Sequence, residues 1–305
     1  MLSYTLAIGY ALFLWWFSTG AILYLDGLPR HTYGRSMLGA TGVLLLSIVA
    51  LILVRARADL LGAYVGFTAG VLIWGWLEMA YFMGFITGPR KTPCPPGCRG
   101  WERFRLALQT SLYHELVLIG IAALIIRLTW GASNQVGIWT FVILWVMRWS
   151  AKLNLFLGAP NLNEDWLPEH VRFVTSYLSK RPMNLLFPVS VSVATVVMTL
   201  LVVTALEVPT NGFRGVSLIL AATLLALAIL EHWFLVLPLT DGALWNWATG
   251  ARDRYLASMP PAASGGVGQR FQAPAGAAVP TSDGSGQPAL STARDPSLDA
   301  NGERS

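Results

Sequence analysis

Charge is scarce in this chain. Asp, Glu, Lys and Arg make up 12% of its 305 residues, about half the roughly 25% of an ordinary soluble domain. So little charge beside 54% apolar residues and 13 Trp points away from a soluble globular protein. The formal charge of +5 is therefore read from where the basic residues lie, and it is not a nucleic-acid signal. Cysteine is nearly absent. Cys94 and Cys98 exclude a disulfide framework, have the wrong spacing for a thioredoxin-type pair, and have no second pair to complete a zinc site. A reduced loop is the expected reading of that stretch. There is no phosphate-binding glycine loop, no nucleophile elbow and no His-rich pattern. Without an internal repeat, a transporter built from inverted repeats lacks support. The N-terminal run has neither a basic leader nor a small-residue cleavage site, so it reads as a retained span.

What the chain has is long apolar runs: Tyr4–Leu25, Met37–Val54, Leu60–Ile86, Leu106–Trp130, Val136–Leu157, Met183–Leu206 and Val216–Pro238. Each is near or above the roughly 20 residues that cross the hydrocarbon core as a helix. Lipid offers backbone groups no partner outside their own helix, so helices are the expected form. The third run is Gly-rich, which suits a tilt or a kink. These runs predict an all-α polytopic membrane protein of about seven transmembrane helices, with a helical domain over 1–257. From Ser258 the composition turns to Ala, Gly, Pro and Ser with almost no aromatics, and 258–305 reads as a disordered tail.

Seven spans put Arg55, Arg57, Arg127 and Arg214 on the side of the N-terminus. Arg30, Arg35, Arg90, Lys91, Arg99, Arg103, Arg105, Arg172, Lys180, Arg181, Arg252 and Arg254 fall on the other side. The positive-inside rule makes the second side cytoplasmic, with the N-terminus outside and the tail inside. On that side Arg99, Arg103 and Arg105 beside Trp101 read as a lipid-headgroup anchor. The longest polar interval follows Gly158. It reads as a turn and then an amphipathic helix in the cytoplasmic interface, with Trp166, Val171, Phe173 and Tyr177 on its apolar face. Asn163 is a candidate cap. The acidic opening, with Glu164, Asp165, Trp166 and Glu169, is unusual beside an anionic leaflet and is a candidate partner-docking edge. Asn161 and His170 belong to the same edge.

Ionisable residues inside spans are costly and face the bundle interior. Counted from the cytoplasmic ends of the runs, Glu78, His114, Glu231 and His232 sit roughly 10–12 Å deep at 1.5 Å per residue. Glu115 adjoins His114, and Arg148 lies slightly deeper. Lys152 is nearer its helix end and is expected to snorkel outward. The six form one candidate polar layer.

The blocks GPRKTPCPPGCRGWERF, SLYHEL, KLNLFLGAPNLNEDWLPEH, KRPMNLLFPVSV and EHWFLVLPLTDGALWNW resemble the PuhE family of photosynthetic complex assembly proteins from purple and related phototrophic bacteria. The resemblance covers roughly Leu2 to Arg254 and is most specific in PNLNEDWLPEH and RPMNLLFP. It implies an inner-membrane factor that helps to build the reaction centre and light-harvesting complex or controls bacteriochlorophyll supply. The implied partners are subunits of those complexes or pigment-synthesis proteins, within the lipid bilayer. It carries no catalytic residues. Three readings of the polar layer stand beside it. A neutral His114 or His232 could ligate the magnesium of a bacteriochlorophyll or a precursor, with Trp74, Trp76, Trp145 and Trp149 around the ring. Imidazole and carboxylate could hold a first-row metal for an intramembrane reaction. Or the layer could be a structural network in which Arg148 pairs with a glutamate and each His bonds a carboxylate or carbonyl. An assembly or pigment-handling factor is favoured over an enzyme.

Overall fold

The computed structural model describes residues 2–162, 167–237 and 244–258. Among these the regular structure is helical: α1 (Leu2–Asp26), α2 (Tyr33–Val54), α3 (Leu60–Phe82), α4 (Gly100–Gln109), α5 (Leu112–Thr129), α6 (Val136–Leu157), α7 (Leu186–Leu206), α8 (Phe213–Phe234) and α9 (Asn246–Ser258). Seven of them are long and apolar enough to span a bilayer; α4 and α9 are not. The tail beyond Ser258 lies outside the described residues.

Helices α3 and α8 form the centre. Of their spans 56% is buried, against 11% for α7 at the periphery. One core lies between α1, α3 and α8, around Ala7, Phe67, Leu220 and Leu224. A second lies on the other side of α3, where Leu51, Ile73, Leu118, Ile125 and Phe141 meet. Two glycines of α3, Gly66 and Gly70, face α6. A Cβ on Gly70 would stand 2.8 Å from the Gly137 carbonyl oxygen, so α3 and α6 approach backbone to backbone, as small residues allow between membrane helices. Outward, Val193, Val196 and Leu200 on α7 are each about 60% exposed. So broad an apolar surface has no place in water, and lipid is its solvent.

Several expected elements change. The third span ends at Phe82 and not Ile86, because Gly84 turns the chain with φ +82°. The fourth run is two helices. The chain breaks at Thr110–Ser111, where the 87–90 strand of loop binds across it: His114 N–H donates to Thr87 O at 2.9 Å and Arg90 N–H to Gln109 O at 3.3 Å. Hydropathy runs on through that break and could not reveal it. The interval after Gly158 holds a 3-10 helix, Glu169–Tyr177, packed on the protein body. Val171 and Tyr177 are buried in protein and do not face lipid. Tyr177 O–H donates to Thr92 O at 2.8 Å and receives Arg90 Nε. Asn163, Glu164, Asp165 and Trp166 lie outside the described residues.

Candidate functional site

The end of the bundle at which α1, α3, α6 and α8 terminate and α5 and α7 begin carries the polar side chains. Helix α6 is their spine. Arg148 Nη2 meets Glu78 Oε2 of α3 at 2.9 Å. One turn on, Lys152 Nζ meets Glu115 Oε1 of α5 at 2.6 Å, and Trp149 Nε1–H donates to Glu115 Oε2 at 2.9 Å. The phenol ring of Tyr81 lies among them, 5.6 Å from Lys152 Nζ and 5.1 Å from the His114 ring. Two carboxylates face two cations, so this half of the site is electrically balanced.

Lys152 is thus a member of the site, although its place near the helix end argued for snorkelling. It turns inward because Glu115 is there to receive it. The depth also changes. Glu115 and His114 stand in the first turn of α5, Glu78 in the last turn or so of α3, and Glu231 and His232 in the last turn of α8. His114, Glu115, Glu231 and His232 lie at their helix ends rather than roughly 10–12 Å inside them, whereas Arg148 stays nine residues inside the end of α6.

The six expected residues do not form one cluster. Glu78, Arg148, Glu115 and His114 gather around Tyr81. His232 belongs to a different side of α6. Its Nδ1 lies 2.8 Å from the Ala228 carbonyl and its Nε2 2.8 Å from Ser150 Oγ. A carbonyl only accepts, so Nδ1 carries the proton and Nε2 accepts from the serine hydroxyl. Glu231 takes the Trp15 Nε1–H of α1 at 2.7 Å and lies within reach of the Arg148 and Glu78 charges without forming an ion pair with either. Among the described residues no three His, Cys, Asp or Glu side chains stand together as metal ligands.

His114 is 1% exposed and neither ring nitrogen has a hydrogen-bond partner. Glu115 Oε1, at 3.8 Å from Nδ1, is beyond hydrogen-bond reach. An unpaired imidazole nitrogen suits a ligand role, but its enclosure does not suit a bacteriochlorophyll, whose macrocycle needs an open face beside the ring. The expected tryptophans do not make that face either. Trp74 packs edge-on against Phe141, Trp145 lies tilted against the same ring, Trp76 bonds Thr41 and Trp149 bonds Glu115.

The motif blocks around this site work as helix caps, a role that polarity alone did not disclose. Asn184 Oδ1 accepts from Leu186 N–H at 2.8 Å and Phe187 N–H at 3.1 Å, closing the start of α7. Its Nδ2 donates to the carbonyls of Asn154 and Gly158 at the end of α6. Asn161 Nδ2 donates to Phe234 O and Leu237 O, closing the end of α8 rather than edging a docking surface. Arg103 is no headgroup anchor. It donates to Ser179 Oγ at 2.7 Å and Phe156 O at 2.8 Å and lies 4.2 Å over the Phe156 ring. Burial, then the nearby Arg181 charge, pushes its pKa down. His170 sits against Gly84 at the end of α3; burial first, then the Arg30 charge, lowers its pKa. Glu169 stays exposed. Cys94 and Cys98 face each other across the Pro95–Gly97 turn with Cα atoms 6.3 Å apart.

Comparison with known proteins places these features in a family. A family model described as a protein of unknown function, DUF3623, matches residues 1–255. The chain belongs to the DUF3623 family. It is 40% identical over 240 residues to the "Uncharacterized 30.4 kDa protein in puhA 5'region" of Rhodobacter capsulatus, covering 77% of this chain and 87% of that relative. The DUF3623 match spans every helix from α1 to α8 and most of α9, so the caps and the charged site all lie within it. No solved structure matches the chain.

Proposed function

We propose that this DUF3623 protein is an integral membrane factor for assembly of the bacterial photosynthetic reaction centre and light-harvesting complex, or for the supply of bacteriochlorophyll to them. The carrying observation is the relative from Rhodobacter capsulatus, named for its place in the 5' region of puhA. The resemblance to the PuhE family points the same way. The fold is compatible with the role. Seven apolar spans hold the chain in a bilayer, the inner membrane on this reading, with the N-terminus periplasmic. The charge-balanced site at the helix ends is a structural brace on the basic, cytoplasmic side. There Glu169, with Glu164 and Asp165 in the same stretch of sequence, would meet a complex subunit or a pigment-synthesis protein. No step through bacteriochlorophyll is assigned to His114, because its surroundings do not fit the macrocycle.

Deleting the gene in a phototrophic host tests the proposal. The deletion should lower the near-infrared absorbance of assembled complexes, and the intact gene should restore it. Unchanged complexes and pigment levels in the deletion strain would remove the assembly role. Charge reversal at Glu169 with normal assembly would remove the docking edge but not the role.

A further inference from the structure

The loop between α3 and α4 carries both cysteines, in the run RKTPCPPGCR from Arg90 to Arg99. Its backbone is built to bring them together. Pro95 and Pro96 fix their own φ angles. Gly97 supplies a left-handed residue at φ +82°, a conformation that costs glycine little. Cys98 N–H then donates to Pro95 O at 3.1 Å and closes the turn. The two Cα atoms stand 6.3 Å apart, inside the roughly 4.4–6.8 Å that a disulfide spans. Both cysteines are half-buried and the three residues between them are exposed, so a small reagent has access.

The turn is anchored on both sides. Before it, Cys94 N–H donates to Ser176 Oγ of the 3-10 helix at 2.8 Å, and Thr92 O accepts from Tyr177. After it, Arg99 O takes the Arg103 N–H at 3.3 Å as α4 begins. Arg103 is itself tied to Ser179 and Phe156. A bond between the cysteines therefore stiffens the link between the 3-10 segment and the start of α4.

Charge selects the reagent. Arg90, Lys91 and Arg99 flank the pair, and no acidic residue lies between Gly88 and Arg99. Such a loop attracts an anion. On the orientation proposed above it faces a reducing compartment, where a disulfide is a transient, redox-responsive bond. The chemistry of exchange does not depend on that orientation. We infer that Cys94 and Cys98 form a reversible dithiol–disulfide site that exchanges with an anionic small-molecule disulfide of the glutathione type. One cysteine thiolate attacks a sulfur of that disulfide, a mixed S–S bond forms, and one glutathione leaves as its thiolate. The second cysteine thiolate attacks the protein-bound sulfur and expels the other glutathione. The pair gives up two electrons and two protons, and both leave with the two glutathione thiols.

Equilibrating the purified full-length protein with glutathione buffers, followed by maleimide capture and mass measurement, tests this. From the reduced to the oxidised end of the series the protein should lose both maleimide additions together, regain them on reversal, and keep no glutathione. Cys94→Ser and Cys98→Ser should each retain one glutathione as a mixed disulfide, since no second thiol expels it. Raising the salt should slow oxidation by glutathione disulfide several-fold. Hydrogen exchange at the Cys94 and Cys98 amides should be about tenfold slower in the oxidised form, the order of effect that closing so short a ring supports. Thiols that stay free across the whole series, or a disulfide that excess glutathione does not reduce, would overturn the assignment. So would glutathione retained on the unmodified sequence, a salt-independent rate, or equal hydrogen exchange in the two forms.

Discussion

Lys152 Nζ stands 2.6 Å from Glu115 Oε1, so a lysine from α6 neutralises a carboxylate in the first turn of α5. The glutamate side chain is 7% exposed and the lysine 28%. The pair therefore sits where removal of one partner matters more than removal of both. Glu115→Gln should destabilise the bundle by about 1–3 kcal/mol, the range for a buried donor left poorly matched. Glu115→Gln combined with Lys152→Met should cost less than the sum of the two single changes. Denaturant unfolding in detergent measures this, and strict additivity would show that the two side chains do not act as a pair.

Asn184 joins two helices with one side chain, and its two roles can be separated. Asn184→Ala should cost about 1–2 kcal/mol, as for loss of a helix N-cap. Asn184→Asp keeps the acceptor for Leu186 and Phe187 but loses the donor to Asn154 and Gly158. The aspartate variant should hold the start of α7 and loosen its tie to α6. Hydrogen exchange at the Leu186 and Phe187 amides, protected in the aspartate variant and fast in the alanine variant, is the expected pattern.

His170 gives the 3-10 segment a pH response. Its pKa in the fold lies below the ordinary value of 6.5, through burial and then the Arg30 charge. Between those two values the released segment binds more protons than the docked one. Docking is therefore fully favourable above about pH 6.5 and weakens as pH falls from there toward the folded value. Proteolysis of the 169–177 segment should accelerate on acidification. His170→Asn should flatten that dependence.

Topology is open to direct test. Reporter fusions ending at Pro160 should read cytoplasmic and those ending at Asn211 periplasmic, as the basic residues require. The opposite reading at either position would reverse the orientation.

The tail is expected to be dispensable. The family match ends at residue 255, and the sequence beyond Ser258 is too poor in apolar residues to build a core. Truncation after Ser258 should leave membrane insertion and complementation intact, with a loss of either exposing a function in 259–305.

The sequence by itself determined that this is a seven-span helical membrane protein, because span length and burial in lipid are properties of local composition. It also announced that Arg148 pairs with a glutamate, since a buried arginine in a bilayer needs one, but left Glu78, Glu115 and Glu231 open; packing chose Glu78. The tertiary structure decided everything that depends on which faces meet. The 87–90 loop cuts the apolar stretch 106–130 into α4 and α5 and so moves His114 and Glu115 to a helix end. Glu115 draws Lys152 inward against its tendency to snorkel. Glu231 and His232 are adjacent in sequence and stand apart in space, because neighbours on a helix point about 100° from each other. Asn161 caps α8, and Asn184 ties down the end of α6, only through helix ends brought to them from elsewhere in the chain. Hydrophobicity is written one residue at a time, whereas a hydrogen bond between distant residues exists only once the helices have packed.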